Sequence, residues 1–333
     1  MSLNDRRSFL KSTAVTGAAV ASAGWLDYRR TYAQGATKFQ RIAYRELGST
    51  GYKVSEVGFG AMNTRDPELI HAAIDSGINY IDTAHGYMKG VNEEIVGTVM
   101  KTKRDKVFLA TKVHCKDKSA KQVREMMELS LKRLQVEYVD IMFMHMPDEP
   151  DEVLNQEWIG AFDKAKKDGL FRYAGVSIHT NHVKLLDAAV ESKFWEHMLV
   201  GYNYKAEQDV TDALHRTRDA GLGIIAMKTQ DKGRGYPNHD MGDITINQAA
   251  LKWVLQNSAV DTTIPGMTSF DQLAENIPVM GMRMSFYENR KLQRYGELDQ
   301  GKSCRGVTGC TGCLDQCPEG VKICELNRCI GYV

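Results

Sequence analysis

Asp82, Tyr87, Lys112, His145 and Ser177 each lie at or just past the end of a short apolar run. Singly they have ordinary explanations: an Asp can cap a turn, and a lone Lys or His at a rim is usually solvated. Together they form an acid–base set. A phenol can donate a proton and remain a stabilised anion, yet its unperturbed pKa near ~10 is too high for neutral pH. A neighbouring ammonium favours the phenolate, and a carboxylate keeps that ammonium charged and in place. An imidazole can hydrogen-bond a substrate carbonyl. Tyr87, Lys112, Asp82 and His145 supply these four types, a combination suited to protonating an oxyanion as hydride reaches a carbonyl carbon.

A second set lies near the end of the chain. The stretch "CRGVTGCTGCLDQCP" holds Cys304, Cys310, Cys313 and Cys317, four of only seven cysteines. The last three and the following proline match the end of the bacterial ferredoxin run C-x2-C-x2-C-x3-C-P. The first gap is longer, so Cys304 is the outlying ligand. The spacing points to a 4Fe-4S cluster, and with it to an electron-transfer partner. Disulfides and zinc are the alternatives. Six tail cysteines, counting Cys324 and Cys329, would pair evenly, but Cys310 and Cys313 are too close to be natural partners. Zinc ribbons usually place their Cys-x2-Cys arms farther apart.

The N-terminus bears on that choice. "DRRSFLKSTAVTGAAVASAGWL" resembles the twin-arginine export signal, with Asp5 where the motif has Ser. It predicts a signal peptide and linker over residues 1–33, cleaved after Ala23 or nearer Ala33. The mature protein is then periplasmic or otherwise exported. This route carries folded proteins, often with a cofactor already inserted, which weakens the presumption of disulfides.

Elements must bring the first set together. From residue 54, apolar runs recur at 54–62, 79–83, 107–113, 139–146, 173–178, 198–203, 223–229 and 262–267. Being almost continuously apolar, they read as strands buried on both faces. Helical patterns separate them. Val123, Met126, Met127, Leu131 and Leu134 fall on one stripe behind a Ser119–Gln122 capping box. Asp66-Pro67 opens a helix that Gly77 closes, and Gly169 and Gly221 sit where C-caps belong. Eight strand–helix units predict an α/β fold, a (β/α)8 TIM barrel over residues 44–285, with a short Cys-rich C-terminal extension at 300–333. The alternative, a doubly wound sheet, calls for an early G-x-G-x-x-G, and "GFGAMN" does not supply one. In such a barrel the site lies at the C-terminal ends of the strands, where all five polar residues fall.

Composition narrows the rest. Lys plus Arg number 43 against 42 Asp plus Glu, so no basic excess marks a nucleic-acid partner. After signal cleavage no integral membrane segment is expected. His85, His114 and His179 also follow strand ends and suggest a metal-dependent hydrolase. Such barrels typically carry His-x-His after the first strand, where this chain has "GFGAMN". His71 and His215 fall within helices, and Cys115 reads as packing.

The ordered stretches "GINYIDTAHGYMKGVNEE", "VFLATKV", "SLKRLQVEYVDIMFMH", "DGLFRYAGVS" and "IPGMTSFDQLAENI" resemble the aldo-keto reductases over about 240 residues. The resemblance implies hydride transfer between a nicotinamide nucleotide, NAD(P)H, and a small-molecule carbonyl or alcohol. It makes Tyr87 the general acid, Lys112 and Asp82 its tuning pair, and His145 the carbonyl's partner. It assigns Gly60, Ala61, Met62, Ser177, Met227, Lys228, Gly266, Thr268, Ser269, Gln272, Glu275 and Asn276 to the cofactor. Ser269 and Gln272 read as a capping box whose helix N-terminus faces a phosphate. Ile178 and Leu199 replace the family's Asn and Gln, and Met227 its stacking aromatic. Gly266 and Gln272 replace the Lys and Arg that pair a 2′-phosphate, which makes NADH at least as plausible as NADPH. A nucleotide-sensing module on the same barrel is the rival reading.

Overall fold

Eight parallel strands run in unbroken spatial order in the computed structural model, which describes residues 42–230 and 241–299. They are β3 (Phe59–Gly60), β4 (Tyr80–Asp82), β5 (Phe108–Val113), β6 (Val139–His145), β7 (Phe171–Ile178), β8 (His197–Gly201), β9 (Gly223–Met227) and β10 (Thr262–Thr263). Parallel bridges Val57–Thr263 and Gly60–Gly266 join the first strand to the last and close the barrel. Closure is tight. A Cβ on Gly60 would lie 2.8 Å from the Ile264 carbonyl oxygen, so only glycine lets these two backbones meet.

The helices follow their sequence signals. α1 (Pro67–Asp75) starts on Asp66, whose carboxylate accepts from the Glu68 amide, with Pro67 preset for the first turn. α2 (Val91–Lys103) and α3 (Ala120–Leu134) come next, and the Ser119–Gln122 capping box is formed. Val123, Met127 and Leu134 are buried, while Met126 and Leu131 are half-buried at the edge of the stripe. α4 (Pro150–Val153), α5 (Gln156–Lys167), α6 (His182–Ser192) and α7 (Gln208–Asp219) complete the middle of the ring. α8 (Ile246–Leu255), α9 (Phe270–Asn276) and α10 (Phe286–Asp299) close it. Gly169 and Gly221 take positive φ just beyond α5 and α7. Among the described residues, no helix is long and apolar enough to cross a membrane.

The run at 54–62 is not one strand. β2 (Lys53–Ser55) pairs antiparallel with β1 (Tyr44–Glu46) as a hairpin, and β3 begins only after Gly58. Val54 packs in the barrel's interior cluster with Leu47, Tyr80 and Phe108, while Phe59 is buried in the wall. Two buried surfaces in succession look like one apolar strand, which is why the sequence reads as continuous. The signal peptide at 1–33 and the Cys-rich tail at 300–333 lie outside the described residues.

Candidate active site

Asp82 ends β4, Lys112 lies inside β5 and His145 ends β6, so the barrel aims three buried side chains at one mouth. Lys112 belongs to its strand rather than following it, and is 1% exposed. Its ammonium donates to Asp82 Oδ1 at 2.5 Å, to the Thr83 carbonyl at 2.6 Å and to Tyr87 Oη at 3.2 Å. Burial pulls the Lys112 pKa down, but the Asp82 carboxylate and Tyr87 outweigh it and the net direction is upward. Burial raises Asp82, and Lys112 pulls it part of the way back. The pair is an ammonium–carboxylate pair in a dry pocket. That favours negative charge on the phenol oxygen beside it.

Tyr87 comes from the loop between β4 and α2. Its ring stands edge-on to His145 with centroids 6.0 Å apart. His114 and His179 also face His145, at 4.5 and 5.8 Å. Burial, then Lys112, drives the His145 pKa far down, so the imidazole is neutral and can donate one hydrogen bond without carrying charge. The rim imidazoles therefore gather. Among the described residues, however, no group of three or more His, Cys, Asp or Glu side chains has metal-binding geometry. Cys115 is buried, its thiol pushed up to about 12 by burial and Glu152, which fits packing rather than reactivity.

Two contributors had no sequence assignment. The Thr83 carbonyl is the third acceptor for the Lys112 ammonium. Asn92, fully buried, accepts from Thr83 Oγ1 at 2.7 Å and donates to the Ala61 carbonyl at 2.7 Å. It locks the loop that follows β4 onto the end of β3. The signal was an amide just inside a helix start, in "GVNEE", at a position that turns inward.

The predicted cofactor residues divide into two sets. Ser177 is fully buried in β7 and its Oγ has no partner among the described residues. Asn276 is 1% exposed; its carbonyl oxygen accepts from Gln230, but its Nδ2 has no partner among the described residues. Buried polar atoms without partners are rare, so both atoms hold unused hydrogen-bonding capacity. Beside Gly266 a Cβ would meet nothing within 4 Å. Met227 is nearly buried against Leu199 and Ile225, and Lys228 is exposed with φ of 56°. Met62 is exposed on the rim, whereas Ala61 is buried.

The second set is occupied within the protein. Glu275 takes Thr245 Oγ1 at 2.6 Å and Asn247 Nδ2 at 3.2 Å. The Ser269–Gln272 capping box is only half formed. Ser269 Oγ accepts from the Gln272 amide, but the Gln272 side chain turns one residue back to the Thr268 amide at 2.7 Å. The competing donor at Thr268 captures it.

The comparisons with known proteins agree with this architecture. The model of the aldo/keto reductase family matches residues 56–234 and 238–297. The model of the twin-arginine translocation pathway signal matches residues 4–23, which indicates export by that route. An uncharacterized oxidoreductase of Bacillus subtilis, YqkF, is 28% identical over 306 residues, spanning 78% of this chain and 99% of that protein. The holo form of an aldo-keto reductase from Bacillus halodurans superposes with a TM-score of 0.66 at 25% identity, covering 76% of this chain and 96% of its own. An aldo-keto reductase from Klebsiella pneumoniae, solved in complex with NADPH, gives 0.65 at 26% identity, covering 77% and 95%. A closed eight-stranded barrel and a family match across most of its length lead to one assignment: the chain is an oxidoreductase that belongs to the aldo/keto reductase family.

Proposed function

We propose that this chain is an NAD(P)H-dependent carbonyl reductase, or its reverse, in which Tyr87 is the general acid–base residue. One observation carries the reading: a buried Lys112 ammonium touches both the Asp82 carboxylate and the Tyr87 hydroxyl. Ser177 Oγ and Asn276 Nδ2 fit the polar groups of a nucleotide, and the Klebsiella relative was solved with NADPH. A bound nicotinamide nucleotide supplies hydride to the carbonyl carbon or takes it up. Tyr87 gives its proton to the developing alkoxide, Lys112 stabilises the phenolate left behind, and Asp82 holds Lys112. Neutral His145 orients the carbonyl by hydrogen bonding, and Lys112 and Asp82 are buried beside the half-buried Tyr87.

The same proposal extends to the two ends of the chain. The protein is exported folded to the periplasm, and Cys304, Cys310, Cys313 and Cys317 hold a 4Fe-4S cluster that exchanges single electrons with a partner. About four iron and four sulfide per chain in anaerobically purified protein supports the cluster. Neither iron nor sulfide, with no free tail thiols, means disulfides.

Tyr87→Phe tests the catalytic reading. Single-turnover nucleotide oxidation across a panel of aldehydes and ketones should fall roughly 10²–10⁴-fold, with nucleotide affinity preserved. Oxidation of bound nucleotide at the unchanged wild-type rate would mean that the assignment of Tyr87, Lys112, Asp82 and His145 is wrong, whereas a nucleotide-binding module would show no carbonyl-dependent oxidation even in the wild type.

A further inference from the structure

Tyr87 sits in a loop whose backbone is unusual. The three residues after it, Met88 (φ 50°), Lys89 (φ 57°) and Gly90 (φ 97°), are all left-handed. Glycine adopts that region freely, whereas methionine and lysine do so only where their surroundings over-determine it. Something must therefore hold this loop.

The brace comes from α3. Arg133 reaches under the loop, and its Nη1 donates to the His85 carbonyl at 3.2 Å and to Glu93 Oε2 at 3.4 Å. The guanidinium fills the space that a Cβ on Gly90 would claim. Gly90 is thus required twice, by its φ and by the arginine beneath it. Glu93 is fully buried, and its other oxygen accepts from Thr111 Oγ1 at 2.7 Å. Thr111 immediately precedes Lys112 on β5. One ion pair, its carboxylate buried and its guanidinium half-buried, thereby references the Tyr87 loop to the strand that carries Lys112.

We propose that Arg133, acting through Glu93, is a positioning residue that sets the contact between Tyr87 and Lys112. The inference rests on the catalytic reading of Tyr87 given above. Arg133 touches neither phenol nor ammonium; it fixes the loop end of one and, through Thr111, the strand of the other. Proton transfer depends steeply on such placement, and a shift near 1 Å costs on the order of 10²-fold in rate.

The test uses the full chain with four variants. Arg133→Met should lower kcat at least about tenfold, with nucleotide affinity unchanged. The alkaline limb of its kcat–pH profile should move to higher pH, because the phenol is less well served by the ammonium. Arg133→Lys should partly rescue both. Arg133→Met alone strands a buried carboxylate and can unfold the protein. Arg133→Met/Glu93→Gln removes that charge and keeps the Thr111 hydrogen bond, so it should fold while retaining the kcat loss and the pH shift. A double variant with wild-type kcat and pH limb overturns the brace. Tyr87→Phe separates the two ideas: if it too is without effect, the catalytic reading fails as well; if it abolishes turnover, only the brace fails.

Discussion

The two ends of the barrel bury carboxylates in opposite ways. At the N-terminal floor, Asp261 Oδ2 accepts from the Gly48 and Ile224 amides, both at 2.9 Å, and from Arg218 at 3.2 Å. Asp140 accepts from the Leu109 amide at 2.8 Å and pairs with Arg104 and Arg172. These groups stitch the hairpin and the strand starts together, and backbone amides depend on them. At the C-terminal mouth, Asp82 meets Lys112 through one oxygen, and the other has no partner among the described residues. His145 Nδ1 and Ser177 Oγ are likewise left over. The floor spends its buried charge on geometry, whereas the mouth leaves polar capacity open. That is the division expected of a barrel whose chemistry lies at the strand C-termini.

Variants at the mouth give the largest expected effect. Lys112→Met should lower kcat by roughly 10²–10⁴-fold, since the phenol loses its ammonium. It should also cost about 3–5 kcal/mol of stability, because Asp82 is left buried and unpaired. Lys112→Met/Asp82→Asn should recover most of the stability and none of the kcat, read by thermal denaturation and single turnover. Recovery of activity in the double variant would mean that the pair is structural. At the floor the logic inverts. Asp261→Ala orphans two backbone amides and should cost about 2–4 kcal/mol at unchanged kcat. Adding Arg218→Met should not restore it, since the amides remain unpaired. Full restoration would show that the floor carboxylate serves only its guanidinium.

The sequence made this contrast partly legible. Strand and helix textures alternate strongly enough that eight units and the ring of polar residues at their ends could be read directly. The grouping of Tyr87, Lys112 and Asp82 was readable because complementary acid–base types recur at neighbouring strand ends, although each alone has an ordinary explanation. The floor was not. The hairpin hid inside the run at 54–62, whose apolar residues serve two different surfaces. The left-handed run ends on Gly90, but Met88 and Lys89 before it are neither glycine nor asparagine and do not announce it. Arg133 reaches His85 from 48 positions along the chain, and no local pattern reports a contact of that span. Half of the Ser269–Gln272 capping box failed because a neighbouring amide competed for the same glutamine oxygen.

The floor has exceptions, Tyr80 Oη and Arg104 Nε among them, and His197 is the one that titrates in acid. It is 1% exposed, both ring nitrogens lack partners among the described residues, and it packs edge-on to Tyr173. Burial, then Lys166 and Arg218, pushes its pKa down to about 3 from an ordinary 6.5. The folded state therefore holds fewer protons than the unfolded chain between pH 6.5 and 3. Its contribution is complete above pH 6.5 and is lost as pH falls, by about 2 kcal/mol between pH 6.5 and 5. His197→Leu removes the titration and breaks no hydrogen bond. Denaturant midpoints for this variant should match wild type near neutrality and decline less steeply on acidification. Equal acid slopes would show that the ring finds a partner, such as an ordered water, that keeps its protonated form.

The smallest expected effect is the sharpest test of what an open polar atom means. Ser177 is the last residue but one of β7 and fully buried, where a hydroxyl without a partner among the described residues is a liability to folding. Alanine fits the same space and leaves no donor or acceptor behind, so Ser177→Ala should be neutral for stability within about 0.5 kcal/mol, or slightly favourable. If the hydroxyl is kept for a nucleotide, the cost falls on binding: about 0.5–1.5 kcal/mol, or a two- to twelvefold weaker nucleotide affinity by titration calorimetry. The two readouts move in opposite directions only if the mouth trades folding stability for ligand contacts. A loss of stability with unchanged affinity would place Ser177 with the floor's carboxylates, as a group the fold itself consumes. The contrast between the two ends would then rest on Asp82 and His145 alone.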